Sequence, residues 1–296
     1  MLDSHSRIAI PSETWYIAAL LEAFPCDRPL TENEISAAVS MMTSHYTWPD
    51  IGLDGAELRR RAADLREVRL RDLVEIVYRW YMQVEGKCRW GDKTPAYIEI
   101  VPALATLFGD AKFIHLIRDG RDVAKSFQRH GWNAPWMHGY TKEWLRAVEL
   151  DMKLSKTPLN ERILRVRYED LVLHPQETLR GICAFIDERF EEQMLLWHGK
   201  VEKAIPGRDK SFHASLGRAM HPSDVGRWKR EMTAREVFVA ESLIGRQLSH
   251  FGYERRYRSK LWGPVLAATR IYCRSLGGLR RRVGLIRQRG RELRAK

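Results

Sequence analysis

Apolar residues recur at helical spacing along most of this chain, and three short runs break the pattern. Trp15 to Phe24 is periodic and ends near Pro25. Thr31 followed by Glu34 forms a capping box for a helix reaching about Tyr46. Helices are predicted over Asp54 to Ala63 and over Leu70 to Val84, the second with Leu73, Val77, Trp80 and Tyr81 on one face. Further helices are predicted over Ala96 to Phe108, behind Pro95, and over Tyr140 to Lys156. Another starts at Glu169 and Pro175 and runs through Ile186, and a last one, capped by Thr233 and Glu236, runs to about His250. Met1 to His5 reads as the last turn of a helix. Of the three runs, Ile8–Ile10 is a short apolar run ending at Pro11, and Phe113–Ile117 and Ile163–Tyr168 read as short strands. Strands alternating with helices predict an α/β fold, a parallel sheet flanked by helices. Ligands of such a sheet bind beyond the strand C-termini, where Arg118 and Tyr168 would both stand.

The stretch from Lys112 to Ser126 carries the most chemistry. An apolar strand meets Arg118-Asp-Gly-Arg-Asp122, and helical sequence follows. A helix N-terminus favours an anion, and Arg118 with Ser126 would clamp one phosphate through a forked donor and a hydroxyl. The competing reading is a solvated turn in which Arg118 and Arg121 pair with Asp119 and Asp122.

Charge changes the picture only at the end of the chain. Glu254 to Lys296 holds 14 Lys/Arg against 2 Asp/Glu, so the whole net charge of +12 lies there. Two parts follow: a domain over 1–253 and a basic tail over 254–296. The tail places Leu261, Val265, Tyr272, Leu276 and Ile286 at helical spacings. Two readings stay open for it: a peripheral contact with an anionic membrane surface, or helices packed on the domain with arginines facing water. Nucleic-acid binding is disfavoured, because no recognition motif accompanies the charge. No apolar stretch approaches the ~18 residues of a membrane span. The first ten residues lack the basic start and apolar core of a signal peptide. Cys26, Cys88, Cys183 and Cys273 are far apart, without metal-ligand spacing, which predicts a reduced, cytoplasmic protein.

Four segments, taken in order, carry a family resemblance: Trp90-Gly-Asp-Lys-Thr-Pro95, Phe113 to Ser126, Arg167-Tyr-Glu-Asp-Leu-Val172 and Gly226-Arg-Trp-Lys229. Across roughly residues 1–253 the chain resembles the sulfotransferases that use 3′-phosphoadenosine 5′-phosphosulfate (PAPS), closest to the bacterial branch and the related tyrosylprotein sulfotransferases. The resemblance implies a P-loop-like α/β fold and transfer of a sulfuryl group from PAPS, as co-substrate, to a hydroxylated acceptor, without a metal. It implies that Arg118 and Ser126 grip the 3′-phosphate, Tyr168 lies against the adenine or its sugar, and Arg227 and Ser215 reach the nucleotide phosphates. Lys93 takes the place of the leaving-group cation, against the alternative of a surface lysine paired with Asp92. Many members have a histidine base two residues beyond that lysine, and Pro95 stands there. Glu13 matches the base of the tyrosylprotein branch, against the alternative of a helix N-terminal acid. That branch has a peptide-binding arginine two residues on, where this chain has Trp15. An acceptor other than an acidic tyrosyl peptide is therefore expected: a sugar, a lipid or a small metabolite.

The family's loop for the 5′-phosphosulfate, of the type Arg-Ser-Gly-Thr-Thr after a first strand, is not found in this sequence. Two expectations compete. Either the chain continues upstream of Met1, with the first strand and loop there, or it is a catalytically impaired remnant that binds nucleotide or serves as a membrane-associated interaction protein. A P-loop kinase would need a Walker loop, and none can be placed.

Overall fold

The computed structural model describes residues 1–129, 137–200 and 220–257, with single positions 264, 265, 267, 268 and 271 beyond them. It divides into two compact units. The first comprises Met1–His115, Thr157–Val166 and His174–Met220; the second comprises Leu116–Lys156, Arg167–Leu173 and His221–Lys296. Among the described residues no helix is long and apolar enough to cross a membrane.

In the first unit β1 (Ile8–Ala9) pairs in parallel with β2 (Arg89–Trp90), Ile8 opposite Arg89 and Ala9 opposite Trp90. Between them run α1 (Ile17–Ala23), α2 (Glu32–Ser44), α3 (Trp48–Ile51), α4 (Gly55–Ala63) and α5 (Leu70–Val84). The α2 capping box forms as expected: the Thr31 hydroxyl accepts from the Glu34 N–H, and the Glu34 carboxylate accepts from the Thr31 N–H. On α5, Leu73 and Val77 are fully buried, and Trp80 and Tyr81 pack against the same core at its margin. Burying a side chain such as Leu73 stabilises by roughly 1.5–3 kcal/mol, so this stripe fixes which way α5 faces.

The helix expected over Ala96–Phe108 divides into a 3-10 stretch, Pro95–Ile100, and α6 (Val101–Leu107). Pro102 lacks an N–H and is tolerated only in a first turn, so the α-helix restarts around it. After α6 come β3 (Phe113–Ile117), α7 (Gly120–Arg129), α8 (Met137–Leu154), β4 (Ile163–Arg167), α9 (Tyr168–Leu173) and α10 (Pro175–Phe185). β3 pairs with β4 as a second two-stranded sheet, and the boundary between the units falls within both strands. The single sheet expected from the sequence is thus two separate pairs among the described residues, and Tyr168 opens a helix rather than closing a strand.

In the second unit α11 (Trp228–Glu231) and α12 (Ala234–His250) follow a 3-10 turn at Pro222–Asp224. Ile117, Trp144, Val148, Leu243, Ile244 and Leu248 form the core between α8 and α12. Gly120 begins α7 where a Cβ would lie 2.6 Å from Ile244 and 2.8 Å from the Trp144 ring, so glycine alone permits that approach. The Thr233–Glu236 capping box opens α12, and Gly252 follows its end at φ +75°. Most of the expected loop 201–223 and of the tail 254–296 lies outside the described residues.

Candidate active site

The candidate residues form two clusters, one in each unit. In the first unit, parallel pairing of β1 and β2 makes both chains leave the sheet in the same direction. The Gly91 N–H donates to the Ala9 carbonyl at 3.0 Å and extends the register by one step. Glu13 and Lys93 therefore arrive on neighbouring extended segments, and the Lys93 ammonium donates to Glu13 Oε1. The Trp15 indole N–H donates to Glu13 Oε2 at 2.8 Å. Lys93 is thus paired with Glu13 and not with Asp92.

Asp92 turns inward. The Thr14 and Tyr78 hydroxyls both donate to its Oδ2, at 2.9 and 2.8 Å. The Thr14 N–H donates to Thr94 Oγ1 at 3.1 Å, and the Thr47 hydroxyl donates to the Thr14 carbonyl at 2.9 Å. Tyr97 lies 2.8 Å from the Thr14 hydroxyl and accepts the Ile17 N–H at 3.1 Å. Burial raises the Asp92 carboxyl above its ordinary range, and the hydroxyl donors and Lys93 oppose that rise. Burial also holds Tyr78 and Tyr97 protonated, with Asp92 adding to the effect. The residues next to Glu13 and Lys93, rather than the pair itself, anchor these segments.

In the second unit Arg118 follows β3 directly. Its guanidinium lies 4.6 Å from the Tyr168 ring centroid, and Nη2 donates to the Asp224 carbonyl at 3.0 Å. Its Nε is buried without a hydrogen-bond partner among the described residues. An unmet buried donor on a cation is a group that an incoming anion would satisfy. Ser126 sits half-buried in the second turn of α7.

The turn between Arg118 and α7 is not solvated. Arg121, 1% exposed, donates through Nε and Nη2 to the two oxygens of Asp119 (3.0 and 2.7 Å) and through Nη1 to Glu241 (2.7 Å). Its guanidinium also stacks 3.6 Å from the Trp228 ring centroid. The Asp119–Arg121 pair therefore exists, but in the core, and Arg118 is left out of it. Asp122 accepts the N–H groups of Gly226 (2.9 Å) and Trp228 (2.7 Å), one on each oxygen. This mounts the Gly226-Arg227-Trp228 turn on α7, with Gly226 at φ +63°. Trp228 is a buried packing residue, and Arg227 pairs with Glu231 at 2.7 Å. Glu169 accepts the Asp119 N–H at 2.9 Å and the Tyr253 hydroxyl at 2.9 Å. Burial and Glu169 push the Tyr253 phenol well above its usual range.

Ser215 lies outside the described residues. Sequence reasoning weighed Asp92 and Asp122 only as surface ion-pair partners and gave Glu169 no role. Each stands inside a motif already singled out, but its partner is remote in sequence, and periodicity carries no trace of such partners.

Comparison with known proteins supports one family. A model described as the sulfotransferase family matches residues 1–192. The chain is 26% identical to protein-tyrosine sulfotransferase 1 of Danio rerio over 262 residues, covering 86% of this chain and 67% of that protein. A Drosophila melanogaster protein-tyrosine sulfotransferase is 24% identical over 194 residues, and the match spans 62% of this chain but only 38% of that protein. Among solved structures, the sulfotransferase domain from the Synechococcus PCC 7002 olefin synthase superposes with a TM-score of 0.58 at 20% identity, over 86% of this chain and 88% of that one. The sulfotransferase domain from the curacin biosynthetic pathway gives 0.54 at 19%, over 86% and 92%. These two likenesses bear on the fold.

Proposed function

The chain belongs to the sulfotransferase family, and we propose that it transfers a sulfuryl group from PAPS to the hydroxyl of an acceptor. The observation that carries this reading is the Glu13–Lys93 pair: a carboxylate and an ammonium, 80 positions apart in sequence, placed in contact at a partly exposed position. Sulfuryl transfer needs both, a base for the acceptor proton and a cation for charge building on the leaving oxygen. When bound, PAPS supplies the activated sulfuryl group and a phosphate leaving group.

The chain's residues do the rest. Glu13 takes the acceptor proton at its carboxylate. Lys93, released from Glu13, faces the leaving oxygen. Arg118, with its unmet Nε, and Ser126 hold the 3′-phosphate, and Tyr168 receives the adenosine against the ring that already stacks on Arg118. Arg227, carried by the Asp122-mounted turn, and Ser215 bind further phosphate oxygens. The 14 Lys/Arg beyond Tyr253 support a peripheral role for the tail at an anionic surface.

The test is radiolabel transfer from PAPS to a panel of phenols, sugars and alcohols. Wild type should transfer. Glu13→Gln should lose transfer while still binding adenosine 3′,5′-bisphosphate. Unchanged turnover in Glu13→Gln would remove Glu13 as the base.

A further inference from the structure

Trp15 has a left-handed backbone, at φ +55°. Bulky residues rarely adopt this conformation, and it persists only where neighbours enforce it. The neighbours do so here. Thr14 is fully buried and tied through its N–H, hydroxyl and carbonyl to Thr94, Asp92 and Thr47. Tyr16, also buried, donates its N–H to the Thr14 carbonyl at 2.6 Å. With both neighbours facing the core, the tight turn turns Trp15 outward. Its side chain belongs to the small set of large apolar groups that are exposed, at 38%. Its indole N–H nonetheless stays on Glu13.

The surroundings also limit which acceptor fits. Glu13 and Lys93 neutralise each other, so the pair offers an incoming acceptor no net charge. The indole beside them offers an apolar ring face. We propose that Trp15 is the acceptor-recognition residue, receiving on its ring the apolar face of an uncharged, ring-bearing hydroxyl acceptor, a phenol or a pyranoside. This deepens the reading of Glu13 as the acceptor base and rests on it. Contact between ring faces favours rigid, cyclic acceptors over flexible alcohols, because little conformational freedom is lost.

The experiment reads binding without turnover, in the full chain. Saturation-transfer NMR follows 4-methylphenol and methyl β-glucopyranoside on wild type, Trp15→Phe and Trp15→Gly, with butan-1-ol as the ringless control. Glycine suits φ +55°, so Trp15→Gly should fold with an undiminished thermal midpoint. One ring or both should bind wild type. Trp15→Phe should stay within a few-fold, and Trp15→Gly should lose about tenfold in affinity. Which ring binds separates the phenol from the sugar source. Equal ring affinity in wild type and Trp15→Gly, or no ring binding to wild type, overturns the proposal. If ring binding falls in Trp15→Gly while no acceptor is sulfated, the Trp15 face stands and the transferase reading fails.

Discussion

Arg118 and Tyr168 each stand one residue past the end of a paired strand, with the guanidinium 4.6 Å from the ring centroid. The stack fixes the plane of the guanidinium while its Nε has no partner among the described residues. A charge-assisted hydrogen bond contributes about 1.5–3 kcal/mol, so Arg118→Ala should weaken adenosine 3′,5′-bisphosphate binding about 10- to 100-fold. Tyr168→Phe keeps the ring and should bind within about twofold of wild type. Calorimetry on the three proteins decides the matter, and equal affinity in wild type and Arg118→Ala would contradict the assignment.

Asp92 receives two hydroxyls on one oxygen, Oδ2. An asparagine can present its single carbonyl oxygen there, so Asp92→Asn should fall within about 1 kcal/mol of wild type at neutral pH. Asp92→Ala strands two buried hydroxyls and should cost about 2–4 kcal/mol. Because the folded-state carboxyl titrates above its ordinary value of 3.8, the folded chain binds a proton more readily than the unfolded one. Relative to Asp92→Asn, wild type should therefore gain stability as pH falls from the raised value towards 3.8. Urea midpoints across that window test the sign, and a constant difference between the two proteins would refute it.

Asp122 makes the opposite case, since its two backbone donors land on different oxygens. An amide there would turn an NH2 group against one of the N–H groups. Asp122→Asn should cost about 1–3 kcal/mol, unlike Asp92→Asn. The same variant should weaken nucleotide binding by loosening the turn that carries Arg227. Chemical denaturation and calorimetry on one preparation would show both losses, and a stable variant with normal binding would exclude the mount.

These contrasts mark what could be read from the sequence. The capping boxes at Thr31 and Thr233 and the α5 stripe were legible because their causes lie within four residues or one helical face. So was the place of Arg118, just past a strand end, whereas Tyr168 was expected to close its strand and opens α9 instead. The two-residue strand β2 was not, because its only support is β1, some 80 positions away. Nor was the inward turn of Asp92 or the clasp of Asp122, whose partners are set by tertiary packing. The Trp15 backbone was illegible for the same reason: nothing local favours φ +55°, and Thr14 and Tyr16 impose it.

Arg121 links Asp119 on its own turn to Glu241 on α12, fully inside the second unit. Removing one member of a buried ionic cluster leaves uncompensated charge and typically costs about 3–5 kcal/mol. Arg121→Met should lose that much, seen as a large fall in the urea midpoint. Arg121→Lys should recover little, because an ammonium cannot reproduce the fork to Asp119. A lysine variant as stable as wild type would show that charge alone, without the bidentate geometry, holds the cluster.

Thr14, Asp92 and Thr94 stitch together the two segments that bear Glu13 and Lys93, and the chemistry proposed above falls on residues adjoining these stitches: Glu13 before Thr14, and Lys93 between Asp92 and Thr94. Reactivity and architecture are thereby assigned to different, interleaved positions. Positions 13, 15 and 93 form a set that can be randomised together on a constant frame. Because Glu13 contacts both Trp15 and Lys93, a library at those three sites would vary proton acceptor, acceptor face and cation as one coupled set, and would map which combinations support transfer.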